Sequence, residues 1–135
     1  MKAAQIRIAR PTDRLKEVVD FYQKGLGLNI IGSFNHYDDH EGYDGVMLGM
    51  PDASVHLEFT HHISGSPCPA PTRDNLLVFY FDTHADYLNA VDRLKSIGAK
   101  EVEPENPYWN DKSISFEDPD GWGVVLFNGI FTVDQ

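Results

Sequence analysis

The sequence predicts an α+β fold of two repeated β-α-β-β-β modules that form a curved mixed sheet around a cavity. Three observations predict it. Short stretches of alternating polar and apolar residues flank two stretches with helical spacing. Ile6 and Leu77, Ala9 and Tyr80, and Gly27 and Gly98 are each 71 positions apart, so strand starts and helix stops recur at one offset. A connector holding Pro67, Pro69 and Pro71 separates the copies. The 135 residues therefore read as one domain, 1–135, with module one at about 4–61, the connector at about 62–74 and module two at about 75–130.

Each element has a local reason. Residues 5–9 alternate, with Ile6 and Ile8 on one face and Gln5, Arg7 and Ala9 on the other, which predicts a strand that Pro11 and Thr12 break. Leu15, Val18, Val19, Tyr22 and Leu26 predict a helix over 13–24, stopped by Gly25 and Gly27. Strands are predicted over 29–34, 46–50 and 54–60, with a polar loop at 35–45. In module two, 76–81 is a continuous apolar strand, and Thr83 with Asp86 has capping-box spacing ahead of the helix carrying Leu88, Val91, Leu94 and Ile97. Gly98 ends that helix. Strands follow at 100–102, 112–117 and 124–128, the last two joined by the turn Asp118-Pro119-Asp120-Gly121.

Composition excludes several functions. With 41% hydrophobic residues, 8 Phe, 6 Tyr and 2 Trp, the chain has material for a core, which argues against disorder. The net charge of -10 repels a phosphate backbone and an anionic membrane surface, so neither nucleic acid nor membrane is expected as a partner. The single cysteine, Cys68, forms no internal disulfide and reads as exposed and unactivated. Residues 1–10 lack the apolar run of a signal peptide, and a cytoplasmic location is expected.

Two motifs resemble a known superfamily. Phe21-Tyr22-Gln23-Lys24-Gly25-Leu26-Gly27-Leu28 and Phe116-Glu117-Asp118-Pro119-Asp120-Gly121-Trp122 resemble the "FY…LGL" helix end and "DPDG" hairpin of the vicinal oxygen chelate superfamily, which includes glyoxalase I, bleomycin-resistance proteins and extradiol dioxygenases. The resemblance implies four cavity-facing positions that hold a divalent metal in the family's enzymes. These fall on Gln5, Glu58, Leu76 and Val125, of which only Gln5 and Glu58 are able to ligate. The resemblance therefore implies a member without the full ligand set. The expected function is metal-independent binding of a small organic molecule in the inter-module cavity, as in drug sequestration of the bleomycin-resistance kind. No cofactor is expected, and family members commonly pair as homodimers. The alternative is a divalent-metal-dependent lyase, isomerase or dioxygenase of the glyoxalase type using Gln5 and Glu58.

Strand alternation sends Ile6, Ile8, Val55, Leu57, Leu77 and Phe79 toward the helices and their neighbours toward the cavity. The candidate ligand-binding residues are Arg7, His56, Glu58, Tyr80, Trp109 and Phe127, a mixed apolar and polar set suited to an organic ligand. Arg7 and Glu58 are equally expected to neutralise each other, with His56 as a hydrogen-bonded partner of Glu58. Trp109, beside Tyr108 in a polar, proline-bearing stretch, reads either as a stacking platform or as a lid over the core, and Trp122 as structural. His36 and His40, with Asp38, Asp39, Glu41 and Asp44, read as a solvated acidic loop, and His61 and His62 as surface residues.

Overall fold

The computed structural model describes residues 1–37 and 41–133. Asp38, Asp39 and His40 of the acidic loop lie outside the described residues. The chain divides into two compact units, Met1–Cys68 and Pro69–Gln135. Both are α+β and repeat one plan.

In the first unit, β1 (Ile6–Pro11) is followed by α1 (Leu15–Asp20), which runs directly into a π-helical turn over Phe21–Gly25. Then come β2 (Asn29–Phe34), β3 (Tyr43–Gly49) and β4 (Val55–His62). The sheet order is β1-β4-β3-β2, with β1 parallel to β4 and the other pairs antiparallel. Tyr22 stacks on Phe59 at 5.0 Å and meets the edge of Phe21 at 4.9 Å. Val18 and Leu48 are fully buried with them.

Four expectations are corrected here. The helix predicted over 13–24 is six residues of α-helix plus the π turn. The last turn of module one spans one residue more: Leu28 N–H donates to the Tyr22 carbonyl six positions back, whereas Ala99 N–H donates to Leu94 five back. Widening the last turn absorbs the extra residue and keeps Phe21 and Tyr22 both buried. Both helices still end on a left-handed glycine, Gly27 at φ 79° and Gly98 at φ 75°. Pro11 does not break β1 but closes it, paired with Thr60. β1 lies at the sheet edge, where a missing N–H costs no ladder bond.

Ile6, Ile8 and Val55 are not buried against a helix; they remain 51%, 44% and 43% exposed. Tyr22 of the π turn stacks on Phe59, and Leu57 and Phe59 are buried, while the start of the β1–β4 pair stays open. Finally, β3 begins at Tyr43 rather than 46, and β4 continues through His62, so His61 and His62 belong to a strand. Gly45 is the hidden requirement in β3. A Cβ there would sit 2.3 Å from Cζ of Phe34, so only glycine lets that ring lie across the strand.

The second unit holds β5 (Leu76–Phe81), α2 (His84–Ser96), β6 (Lys100–Val102), a 3-10 turn (Pro107–Asn110), β7 (Ser113–Glu117) and β8 (Gly123–Asn128). Its sheet order is β5-β8-β7-β6, again with only the first pair parallel. Thr83 Oγ1 caps α2 by accepting from Asp86 N–H at 3.1 Å. Ala90, Val91 and Leu94 on α2 and Val124 and Leu126 on β8 are buried. The Asp118 turn is built as the sequence predicts. Asp118 Oδ1 accepts from the N–H groups of Asp120 (2.9 Å) and Trp122 (3.0 Å), and its carbonyl accepts from Gly121. No helix among the described residues is long and apolar enough to cross a membrane.

Candidate functional site

The candidate residues gather into two groups, one in each unit. In the first unit, the parallel register pairs Arg7 with His56, and Glu58 follows two residues along β4 on the same face. Arg7 Nε–H donates to His56 Nε2 at 3.0 Å, and Arg7 Nη1 reaches Glu58 Oε2 at 3.4 Å. The other ring nitrogen of His56, Nδ1, lies 3.0 Å from the carbonyl of Ala53. A carbonyl only accepts, so Nδ1 carries the hydrogen and Nε2 presents its lone pair to Arg7. His56 is 7% exposed, while the Arg7 side chain is 48% exposed. The mutual neutralisation of Arg7 and Glu58 is present. The expected His56–Glu58 hydrogen bond is corrected: the imidazole bonds to Arg7 and Ala53, because the guanidinium stands between the two acceptors.

The family's metal positions do not fit a divalent ion. Gln5 precedes β1 and is exposed. Glu58 is engaged by Arg7. Leu76 opens β5 and Val125 is fully buried in β8, both offering only hydrocarbon. The strand registers also match Arg7↔His56 in one module to Val78↔Val125 in the other, making Val125 the counterpart of His56 and Phe127 that of Glu58. Module two thus adds no side-chain donor at those positions. Among the described residues, no group of three or more His, Cys, Asp or Glu is arranged to hold a metal.

In the second unit, Tyr80 and Phe127 are register partners on β5 and β8, with ring centroids 5.2 Å apart. The 3-10 turn brings Trp109 edge-on to Phe127 at 6.1 Å and Tyr108 edge-on to Trp109 at 4.9 Å. Asn106 fixes that turn, its Oδ1 accepting from Tyr108 N–H, and Ser113 Oγ donates to the Trp109 carbonyl. An open groove of about 400 Å³ is lined by Pro107, Tyr108, Asp111, Lys112 and Phe127. Trp109 is half-buried and braces Phe127 from outside the groove's lining, whereas Tyr108 is 65% exposed and lines it. Tyr108, Asp111 and Lys112 line the groove although strand alternation does not point to them. The available signal was the Tyr-Trp pair in a proline-started turn followed by an Asp-Lys pair.

His36, His61 and His62 are held by hydrogen bonds within the first unit. His61 Nδ1 donates to the Thr12 carbonyl at 2.9 Å, with Asp13 at 3.5 Å. His62 Nδ1 accepts from Ser64 N–H at 3.0 Å, and its ring meets Tyr43 edge-on. Both lie within β4 and are half-buried rather than surface residues. His36 bonds to Asp44 through both its backbone N–H (2.8 Å) and Nδ1 (2.9 Å). The side-chain hydrogen bond from His36 holds the Asp44 carboxyl below its usual range. Cys68 is half-buried, not exposed.

Residues 6–60 match the model of the YycE-like N-terminal domain, and residues 74–128 match that of the YycE-like C-terminal domain. The uncharacterized protein YycE of Bacillus subtilis (strain 168) is 50% identical over 127 residues, covering 94% of this chain and 89% of the relative. A crystal structure of a YycE protein of unknown function from Bacillus subtilis, with glyoxalase/fosfomycin resistance protein as its suggested class, superposes with a TM-score of 0.91 at 47% identity, over 100% of this chain and 96% of that one. FosX, a fosfomycin resistance protein from Mesorhizobium loti, gives a TM-score of 0.71 at 16% identity, over 97% and 95% of the two chains. The trypanothione-dependent glyoxalase I of Leishmania major gives 0.70 at 15% identity, over 95% and 86%. The last two likenesses show the fold alone, which is that of the vicinal oxygen chelate superfamily.

Proposed function

We propose that this chain, which belongs to the YycE-like family, binds a small planar organic molecule without a metal, in the manner of a drug-sequestering protein. The observation that carries the reading is the groove beside Phe127. Its aromatic walls offer stacking surface, and Asp111 and Lys112 at its rim offer one charge of each sign. Its volume of about 400 Å³ lies in the range of small-ligand pockets. Trp109 and Tyr80 brace Phe127 from two sides, which reduces the entropy lost when a ligand stacks on it. A net charge of -10 favours the approach of organic cations. Arg7, His56 and Glu58 are a second polar candidate on module one, with the exposed guanidinium as the group a ligand would meet.

A thermal-shift screen with planar cationic antibiotics and small metabolites, run with EDTA present, tests this reading. At least one compound raises the melting temperature, and Phe127→Ala removes the rise. No stabilisation by any compound would contradict the proposal. A cytoplasmic homodimer belongs to the same reading; the dimer is supported by the exposed Ile6 and Ile8 on edge strand β1 and the exposed Val55 beside them on β4, and light scattering at micromolar concentration tests it.

A further inference from the structure

The Arg7–His56–Glu58 cluster has the features of a cation site whose cation is covalently attached. His56 is posed as a ligating histidine is posed. Its Nδ1–H is tied to the Ala53 backbone carbonyl, which fixes the tautomer and aims the Nε2 lone pair outward from β4. Glu58 projects from the same face of the same strand. Both acceptors converge on one positive group, the Arg7 guanidinium, at 3.0 and 3.4 Å. His56 is buried and Glu58 only 15% exposed, so the acceptors are largely withdrawn from water while the guanidinium stem is not. A buried carboxylate and an imidazole lone pair left without a positive or donating partner would be costly.

From this geometry we infer that Arg7 is the resident cation of module one: it occupies the space between His56 Nε2 and Glu58 Oε2, and by doing so keeps divalent metal out. The inference deepens the metal-independent part of the function proposed above. It is read by zinc on module one, whereas the groove is read by organic compounds on module two, so failure of either is seen separately. Two consequences follow. Removing the positive charge uncovers a donor pair, and replacing Arg7 by histidine adds a third donor on the adjacent strand. Two histidines and a glutamate are a zinc-binding set.

Calorimetric titration with Zn²⁺ at neutral pH, on the full chain, tests it with wild type, Arg7→Lys, Arg7→Met, Arg7→His and the double variant Arg7→His/His56→Ala. Circular dichroism establishes that each is folded. Wild type and Arg7→Lys, which retain a cation, bind no stoichiometric zinc at micromolar concentration. Arg7→His binds one ion per chain, roughly tenfold or more tighter than wild type, and the gain disappears in the double variant. Arg7→Met falls between wild type and Arg7→His. Wild type binding zinc as tightly as Arg7→His would overturn the inference. So would folded Arg7→His and Arg7→Met variants with no gain over wild type, or a gain that survives loss of His56.

Discussion

Arg7 Nε donates to His56 Nε2 across 3.0 Å, joining an edge strand to its parallel neighbour through side chains whose backbones are in register. The bond settles the state of the ring. An imidazole nitrogen that accepts from a guanidinium is unprotonated, so the Ala53 carbonyl and Arg7 between them select one neutral tautomer. His56→Ala leaves the Ala53 carbonyl and Arg7 without that partner and is expected to cost about 1–3 kcal/mol of unfolding free energy, measured by urea denaturation. In the wild type, ¹⁵N NMR of the ring is expected to show Nδ1 protonated and Nε2 bare.

Phe59 carries the core of module one. It is 2% exposed, stacks on Tyr22 and lies under the Arg10 guanidinium at 5.0 Å. Phe59→Ala is expected to destabilise the chain by about 3–5 kcal/mol, measured by chemical denaturation, through the cavity left between α1 and β4.

The Asp118 turn gives a sharper chemical contrast. Asp118→Ala removes the acceptor of two backbone N–H groups and is expected to cost about 1–3 kcal/mol. Asp118→Asn keeps a side-chain oxygen at that place and is expected to retain most of the stability. Thermal unfolding of the two variants side by side checks this.

Asp44 predicts a limited acid sensitivity. Its folded carboxyl is held below the usual value of about 3.9 by the His36 hydrogen bond. The associated stability is therefore present above that value and is lost as pH falls through the lowered folded value. Because Asp44 and His36 are about 30% exposed, solvent screens the pair and the effect is expected to stay within about 1 kcal/mol. Asp44→Asn should flatten the acid limb of a stability-versus-pH curve relative to wild type; an unchanged limb would show that the pair contributes nothing.

How much of this was legible in the sequence depends on whether a residue's role was local. The turn at Asp118, the cap at Thr83 and the stops at Gly27 and Gly98 are decided within a few residues, and all appear as read. The π turn was hidden because an added residue in the last turn leaves the apolar spacing nearly intact. The start of β3 was hidden because Gly45 serves a ring on the next strand, a reason that no window around Gly45 contains. The same holds for the candidate sites. Alternation alone put Arg7, His56 and Glu58 on one face, but which partner His56 takes depends on the β1–β4 register. Alternation also points to Tyr80 and Phe127, while Tyr108, Asp111 and Lys112 need the 3-10 turn to bring them to the groove.

One NMR titration tests both ligand binding at the aromatic groove and its independence from metal. Uniformly ¹⁵N-labelled protein in excess EDTA is titrated with proflavine, a planar aromatic cation. The predicted result is saturable shifts confined to the amides around Tyr108, Asp111, Lys112 and Phe127, unchanged when EDTA is replaced by Zn²⁺. Shifts that are absent, that map away from those residues, or that require the metal would contradict it.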